Sequence, residues 1–207
     1  MGKLASVLLA IIGLTACATP PLPEDHYYRL ETVASSTPQI RNGADATLTV
    51  LRLNMTGVYN ERPLLFSTAA APTELRQYHY HYWADNPEHL IQEQLADFLR
   101  AELIFRRVNL PNNSSAVTDD YQISGSVRRF EQRLDGSGAH ALVEIELTLA
   151  RKTNSSTLLS KIYRADIATR DNTALASAQG LSQALTQCFA QFAADLRTFN
   201  PPLAHHD

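Results

Sequence analysis

The 207 residues include 21 acidic and 18 basic side chains, for a formal net charge of -3, and 44% are hydrophobic, enough for one buried core. No basic cluster is interleaved with aromatics, so the chain has no electrostatic footprint for nucleic acid. Its only cysteines are Cys17 and Cys188. If Cys17 is used for another purpose, no intramolecular disulfide remains and packing must carry the stability.

Lys3 is followed by an uncharged apolar run, residues 5–14, that ends in Leu14-Thr15-Ala16-Cys17. A short hydrophobic core behind a basic end has the layout of an export signal and is too short to span a bilayer. A small-residue cleavage site ending in cysteine resembles the bacterial lipobox, in which the thiol is lipidated and the chain is cut just before it. An ordinary export signal with a chance cysteine is the alternative. Under the lipobox reading residues 1–16 are a signal peptide and Cys17 is the lipid attachment site. Its three acyl chains, palmitate among them, bury methylenes at about 0.8 kcal/mol each and anchor permanently. Ala18 stands where an aspartate would resemble an inner-membrane retention signal, which points to the outer membrane, on its periplasmic side. Residues 17–25 are proline-rich and suit a tether of about 3 Å per residue.

The domain is expected over residues 26–200. Residues 26–30 and 47–53 read as strands around a loop, 35–45, and residues 59–73 as irregular. The aromatic run 78–83 alternates like a strand. A helix should start at Asn86, whose side chain can cap the first amides, with Pro87 at N1, and run to about Phe105. Ile91, Leu95, Phe98, Leu99 and Phe105 share its apolar arc. Residues 121–127 and 143–149 alternate around a turn at 135–138, with Glu144 and Glu146 on the wet face, and 159–167 complete a meander. Gly125 inside its strand reads as a place where a helix approaches. The clearest helix spans 173–199, with Leu175, Ala178, Leu181, Leu185, Cys188, Phe189, Phe192, Leu196 and Phe199 stepping by three and four. Residues 201–207 read as a disordered tail. This order is that of a single α+β domain, a mostly antiparallel sheet with two amphipathic helices packed on one face.

His79 and His81 are two apart, which on a strand puts both imidazoles on one side. A metal would need a third ligand such as His26, Glu74 or Asp85, and no diagnostic spacing supplies one, so neither a metal nor a cofactor is expected. Cys188 lies on the apolar stripe, a structural position. Glu102 is the one buried-looking carboxylate, placed to reach solvent or pair with Arg106. No nucleophile elbow, P-loop or dinucleotide fingerprint occurs, so no enzyme is expected. Tyr78, Tyr80 and Tyr82, with Arg62 and Arg76, are of the types that anchor interfaces and are the candidate partner-binding residues. The alternative is that half the aromatics plug the sheet against the helix. Trp83, beside Asn86 and Pro87, is expected to pin that helix to the sheet.

The lipobox, Tyr27-Tyr28-Arg29-Leu30, Arg62-Pro63-Leu64-Leu65-Phe66, Thr73-Glu74-Leu75, the aromatic run, Trp83-Ala84-Asp85 with Pro87, and the alanine-rich last helix together resemble the ABC-type transport auxiliary lipoprotein family, the PqiC-like lipoproteins of MCE lipid-transport systems. The resemblance covers about residues 27–199. It implies a non-catalytic periplasmic lipoprotein, tethered to the outer membrane, on which an MCE-domain protein docks while its inner-membrane permease and ATPase supply the energy. Further copies of the chain are a second candidate partner. The rival readings are an assembly lipoprotein for lipopolysaccharide or envelope complexes, and an envelope hydrolase using His79 or Glu102.

Overall fold

The computed structural model describes residues 22–34, 44–111, 119–136 and 138–198. The lipobox with Cys17, most of the tether, most of the 35–45 loop, Phe199 and the tail lie outside the described residues. The elements are β1 (His26–Tyr28), β2 (Ala44–Val50), a 3-10 turn (Gly57–Asn60), β3 (Pro63–Thr68), β4 (Ala71–Trp83), α1 (Pro87–Ala101), β5 (Phe105–Asn109), β6 (Tyr121–Asp135), β7 (Gly138–Arg151), β8 (Thr157–Ala168) and α2 (Ala174–Thr198). Together they make a single α+β domain built on one sheet.

Alternating side chains build the meander β6–β7–β8, which pairs antiparallel throughout. Val143, Ile145, Leu147, Leu149, Tyr163 and Ala165 are buried on one side. On the other, Arg128 donates to Glu146 at 2.6 Å and Arg164 to Glu144 at 2.9 Å. At Gly125 a β-carbon would lie 2.0 Å from the carbonyl oxygen of Glu146. The neighbour that excludes a side chain there is therefore the β7 backbone, and not a helix as expected. The close helix approach is at Gly180 of α2, where a β-carbon would lie 2.5 Å from Thr169 Cγ2 and 2.9 Å from the β-carbon of Ala141.

Strand β6 is long enough to serve two neighbours along one edge. Its first residues pair parallel with β2, Val50 opposite Ile123, and its last pair parallel with β3, Phe66 opposite Gln132. Between them residues 51–54 stay on β6, with Leu51 N–H donating to Ile123 O and Val127 N–H to Asn54 O. Strand β5 pairs parallel with β2, and β1 with β4. The parallel pairings, β3 and β5 lie outside the sequence expectation. Residues 59–73 are structured as β3 and the start of β4, and the first helix stops at Ala101, with Leu103 at φ 54° and Phe105 opening β5.

The apolar arcs of both helices face the same core, and Phe98 of α1 meets Phe189 of α2 edge-on at 5.7 Å. Leu175, expected on the stripe, is instead 46% exposed. The segment after β1 crosses both helices as a strap: Glu31 N–H donates to Ser182 Oγ, Thr32 N–H to Gln94 Oε1 and Val33 N–H to Thr186 Oγ1. Among the described residues, no helix is long and apolar enough to cross a membrane.

Candidate docking edge

Strand β4 does not alternate as its sequence suggests. Leu65 pairs with Gln77 but Pro63 with Tyr82, so β4 spends more residues than β3 over this stretch, and Tyr80 sits at φ 65°, in the left-handed region. Tyr78 and His81, three apart, meet edge-on at 6.3 Å. His81 stacks on His26 of β1 at 4.9 Å, and its Nδ1 lies 2.8 Å from the Tyr28 hydroxyl. Desolvation first, and His26 second, hold the His81 imidazole below its usual pKa. A neutral ring can accept from Tyr28. Among the described residues, no three His, Cys, Asp or Glu side chains gather where they could hold a metal.

The candidate partner-binding residues divide into two groups. Tyr78 is turned inward: its hydroxyl donates to Gln132 Oε1 at 2.5 Å and to the Asn172 carbonyl at 3.0 Å, its ring lies 4.6 Å from that of Phe66, and burial pushes its pKa up to about 12. Arg62 ties down the end of β4, donating from Nε to Trp83 O at 3.1 Å and from Nη2 to Ala84 O at 3.3 Å, with its guanidinium 5.3 Å from the Tyr27 ring. Tyr82 packs against Tyr27 at 5.8 Å. Arg62 is exposed but held by its two bonds, whereas the exposed side chains of Arg76 and Tyr80 are not tied to another element by any described bond. Arg76 donates to Glu74 at 2.8 Å, a bond that lowers the Glu74 pKa, and Tyr80 is 44% exposed.

Trp83 is buried and stacks on Phe130 at 5.3 Å, and its backbone N–H donates to Arg62 O. Asn86 and Pro87 start α1 where expected, but the Asn86 side chain makes no capping bond; its carbonyl accepts from His89 and Leu90. The neighbouring Asp85 carboxylate accepts the Asn86 amide at 2.7 Å and bonds His89. Cys188 is fully buried, and burial raises its pKa to about 12.

Glu102 closes α1 and pairs with Arg197 of α2, a partner distant in sequence. A second carboxylate, Glu131, is buried more deeply at 1% exposure, which corrects the reading of Glu102 as the one buried acid. Glu131 accepts from Ser67 Oγ at 2.9 Å, from Arg129 Nη2 at 2.8 Å and from the Tyr59 hydroxyl, so it holds the 3-10 turn on the sheet. Desolvation and this bond raise the Tyr59 pKa. The only sequence signal was Arg129 two residues before it, in a polar-looking run.

Residues 28–193 match the family model of the ABC-type transport auxiliary lipoprotein component. The chain belongs to that family. The fold of this auxiliary lipoprotein is similar to the crystal structure of protein XCC0632 from Xanthomonas campestris, at 20% identity and a TM-score of 0.73, covering 83% of this chain and 95% of that one. It is also similar to an uncharacterized protein at 13% identity and a TM-score of 0.65, covering 84% and 99%. No curated protein matches the sequence.

Proposed function

We propose that this auxiliary lipoprotein is held by a lipidated Cys17 on the periplasmic face of the outer membrane, where it docks an MCE-type transporter and carries out no chemistry itself. The family supports a transport auxiliary lipoprotein of the envelope, and the β3–β4 ribbon supports docking. The carrying observation is the free stretch of β4: among the described residues β1 covers only its last three positions, leaving residues 71–80 without a strand neighbour on that side. Pro72, the register shifts and Tyr80 make this edge a poor template for strand addition. Contact through side chains is therefore favoured, and Arg76 is the exposed anchor of a type that dominates interface energies.

Co-purification of the native lipoprotein with the MCE-domain protein of the same cell, paired with thermal melts, tests this. Arg76→Ala should lose most of the partner with an unchanged melting temperature, because its ion pair with Glu74 is a surface one. A Tyr78→Phe variant should lose stability instead, by about 1 kcal/mol for the missing hydrogen bonds, and keep the partner. Normal capture by folded Arg76→Ala moves the docking surface to the charged sheet face around Glu144 and Glu146. No capture by the wild-type protein refutes the transporter reading.

A further inference from the structure

The β1–β4 edge is where the chain from Cys17 enters the domain. Leu22 is five steps along the chain from Cys17 and Tyr27 is ten, so at about 3.6 Å per step their Cα atoms lie within roughly 18 Å and 36 Å of the Cys17 Cα. Among the described residues the exposed large hydrophobic side chains include Leu22 (88%), Tyr27 (57%) and Tyr80; Tyr27 and Tyr80 are at this edge, and Leu22 lies four residues before β1. Val33 lies in the loop after β1, Val58 in the 3-10 turn, Leu103 between α1 and β5, and Leu175 in α2. In register Tyr80 comes one residue before the His26–His81 pair and Tyr27 one after.

Tyrosine favours a boundary that is apolar on one side and wet on the other, as at lipid headgroups. Tyr80 keeps a left-handed backbone that a residue with a bulky side chain adopts at a cost and that asparagine or glycine would take more easily. Glu24 and Asp25 lie between Leu22 and Tyr27, the Tyr27 hydroxyl donates to Asp25 at 3.3 Å, and these acids offset the Arg62 guanidinium beside the Tyr27 ring, so attraction of cationic side chains to anionic lipid is not the driving term.

We propose that Leu22, Tyr27 and Tyr80 form a lipid contact that lays the β1–β4 edge on the headgroups of the membrane holding Cys17. The proposal rests on the anchor reading above. It leaves Arg76, toward the opposite end of β4, beside the bilayer for a transporter whose far end must reach that membrane to exchange lipid.

The test uses the processed full-length lipoprotein reconstituted in phosphatidylethanolamine and phosphatidylglycerol vesicles that carry a headgroup nitroxide. An environment-sensitive dye on His79→Cys, next to Tyr80, is compared with the same dye on Thr153→Cys in the β7–β8 turn; the buried Cys188 stays unlabelled. Flotation of the vesicles with and without Cys17→Ser reads the anchor separately. The expected result is flotation that requires Cys17, quenching several-fold stronger at 79 than at 153 and insensitive to salt, and its loss in Tyr27→Ser/Tyr80→Asn with the melting temperature kept. Flotation with equal quenching at the two sites, or quenching that survives the double variant, overturns the lipid contact and leaves the anchor standing. Failure of the wild-type protein to float overturns the anchor and the contact together.

Discussion

The meander β6–β8 and the ribbon β3–β4 with β1 belong to one sheet but are held by different means. The meander relies mainly on alternation, with one register shift in each of its two pairings, apolar side chains under the helices and an Arg–Glu ladder facing outward. The ribbon is fixed by individual polar side chains reaching across elements: Arg62 to two carbonyls, Tyr78 to Gln132 and Asn172, and Tyr59 and Ser67 to Glu131. The difference shows that a sheet can place its spare binding surface where regularity ends, because a bulged strand frees side chains that a regular one would commit.

The largest break should come where the two regions meet. Trp83 ends the ribbon and stacks on Phe130 of the meander, so Trp83→Ala should cost about 3–5 kcal/mol in chemical denaturation, with partner binding lost as a consequence. A loss below about 1 kcal/mol would show that the two regions are not joined there.

A second comparison sets one carboxylate against another. Glu131→Gln keeps the shape but faces the Ser67, Tyr59 and Arg129 donors with an amide, and should cost about 1.5–3 kcal/mol. Glu146→Gln, on the outward ladder, should change stability by no more than about 0.5 kcal/mol. Equal effects in urea melts would erase the distinction between specific ties in the ribbon and a solvated face in the meander.

A smaller effect than that of Glu131→Gln belongs to the core under the meander. Cys188→Ala should cost on the order of 1 kcal/mol through lost volume. Burial lifts the thiol pKa to about 12, so the folded protein should resist alkylation at pH 8 and react on unfolding. Rapid labelling of the native state would show that α2 opens over the sheet.

Period alone made the meander and the last helix legible, because their residues contact neighbours in the regular order that alternation assumes. The α+β class followed for the same reason, and the start of α1 followed from a local signal, a proline suited to the first helical position. The ribbon was less legible. Pro63-Leu64-Leu65-Phe66 has no alternating pattern, yet it forms β3, since Leu64 and Leu65 are buried on opposite faces. A left-handed Tyr80 is invisible to propensity, which expects glycine or asparagine there. Of the five candidate binding residues, sequence could not tell that Arg62 and Tyr78 spend their polar groups on ties within the chain, since their partners are distant in it. Glu131 was hidden likewise, its ligands coming from β3 and the 3-10 turn.

The forked β6 also sets a timetable. Strands β2 and β3 occur early in the chain, yet their parallel partner is Tyr121–Asp135, and loops of that size close more slowly than the hairpins of the meander. A chain emerging from its N-terminus therefore carries β2, β3 and β4 past the exit with no strand to complete their sheet. Only the hairpin of β3 and β4 can pair locally in that interval.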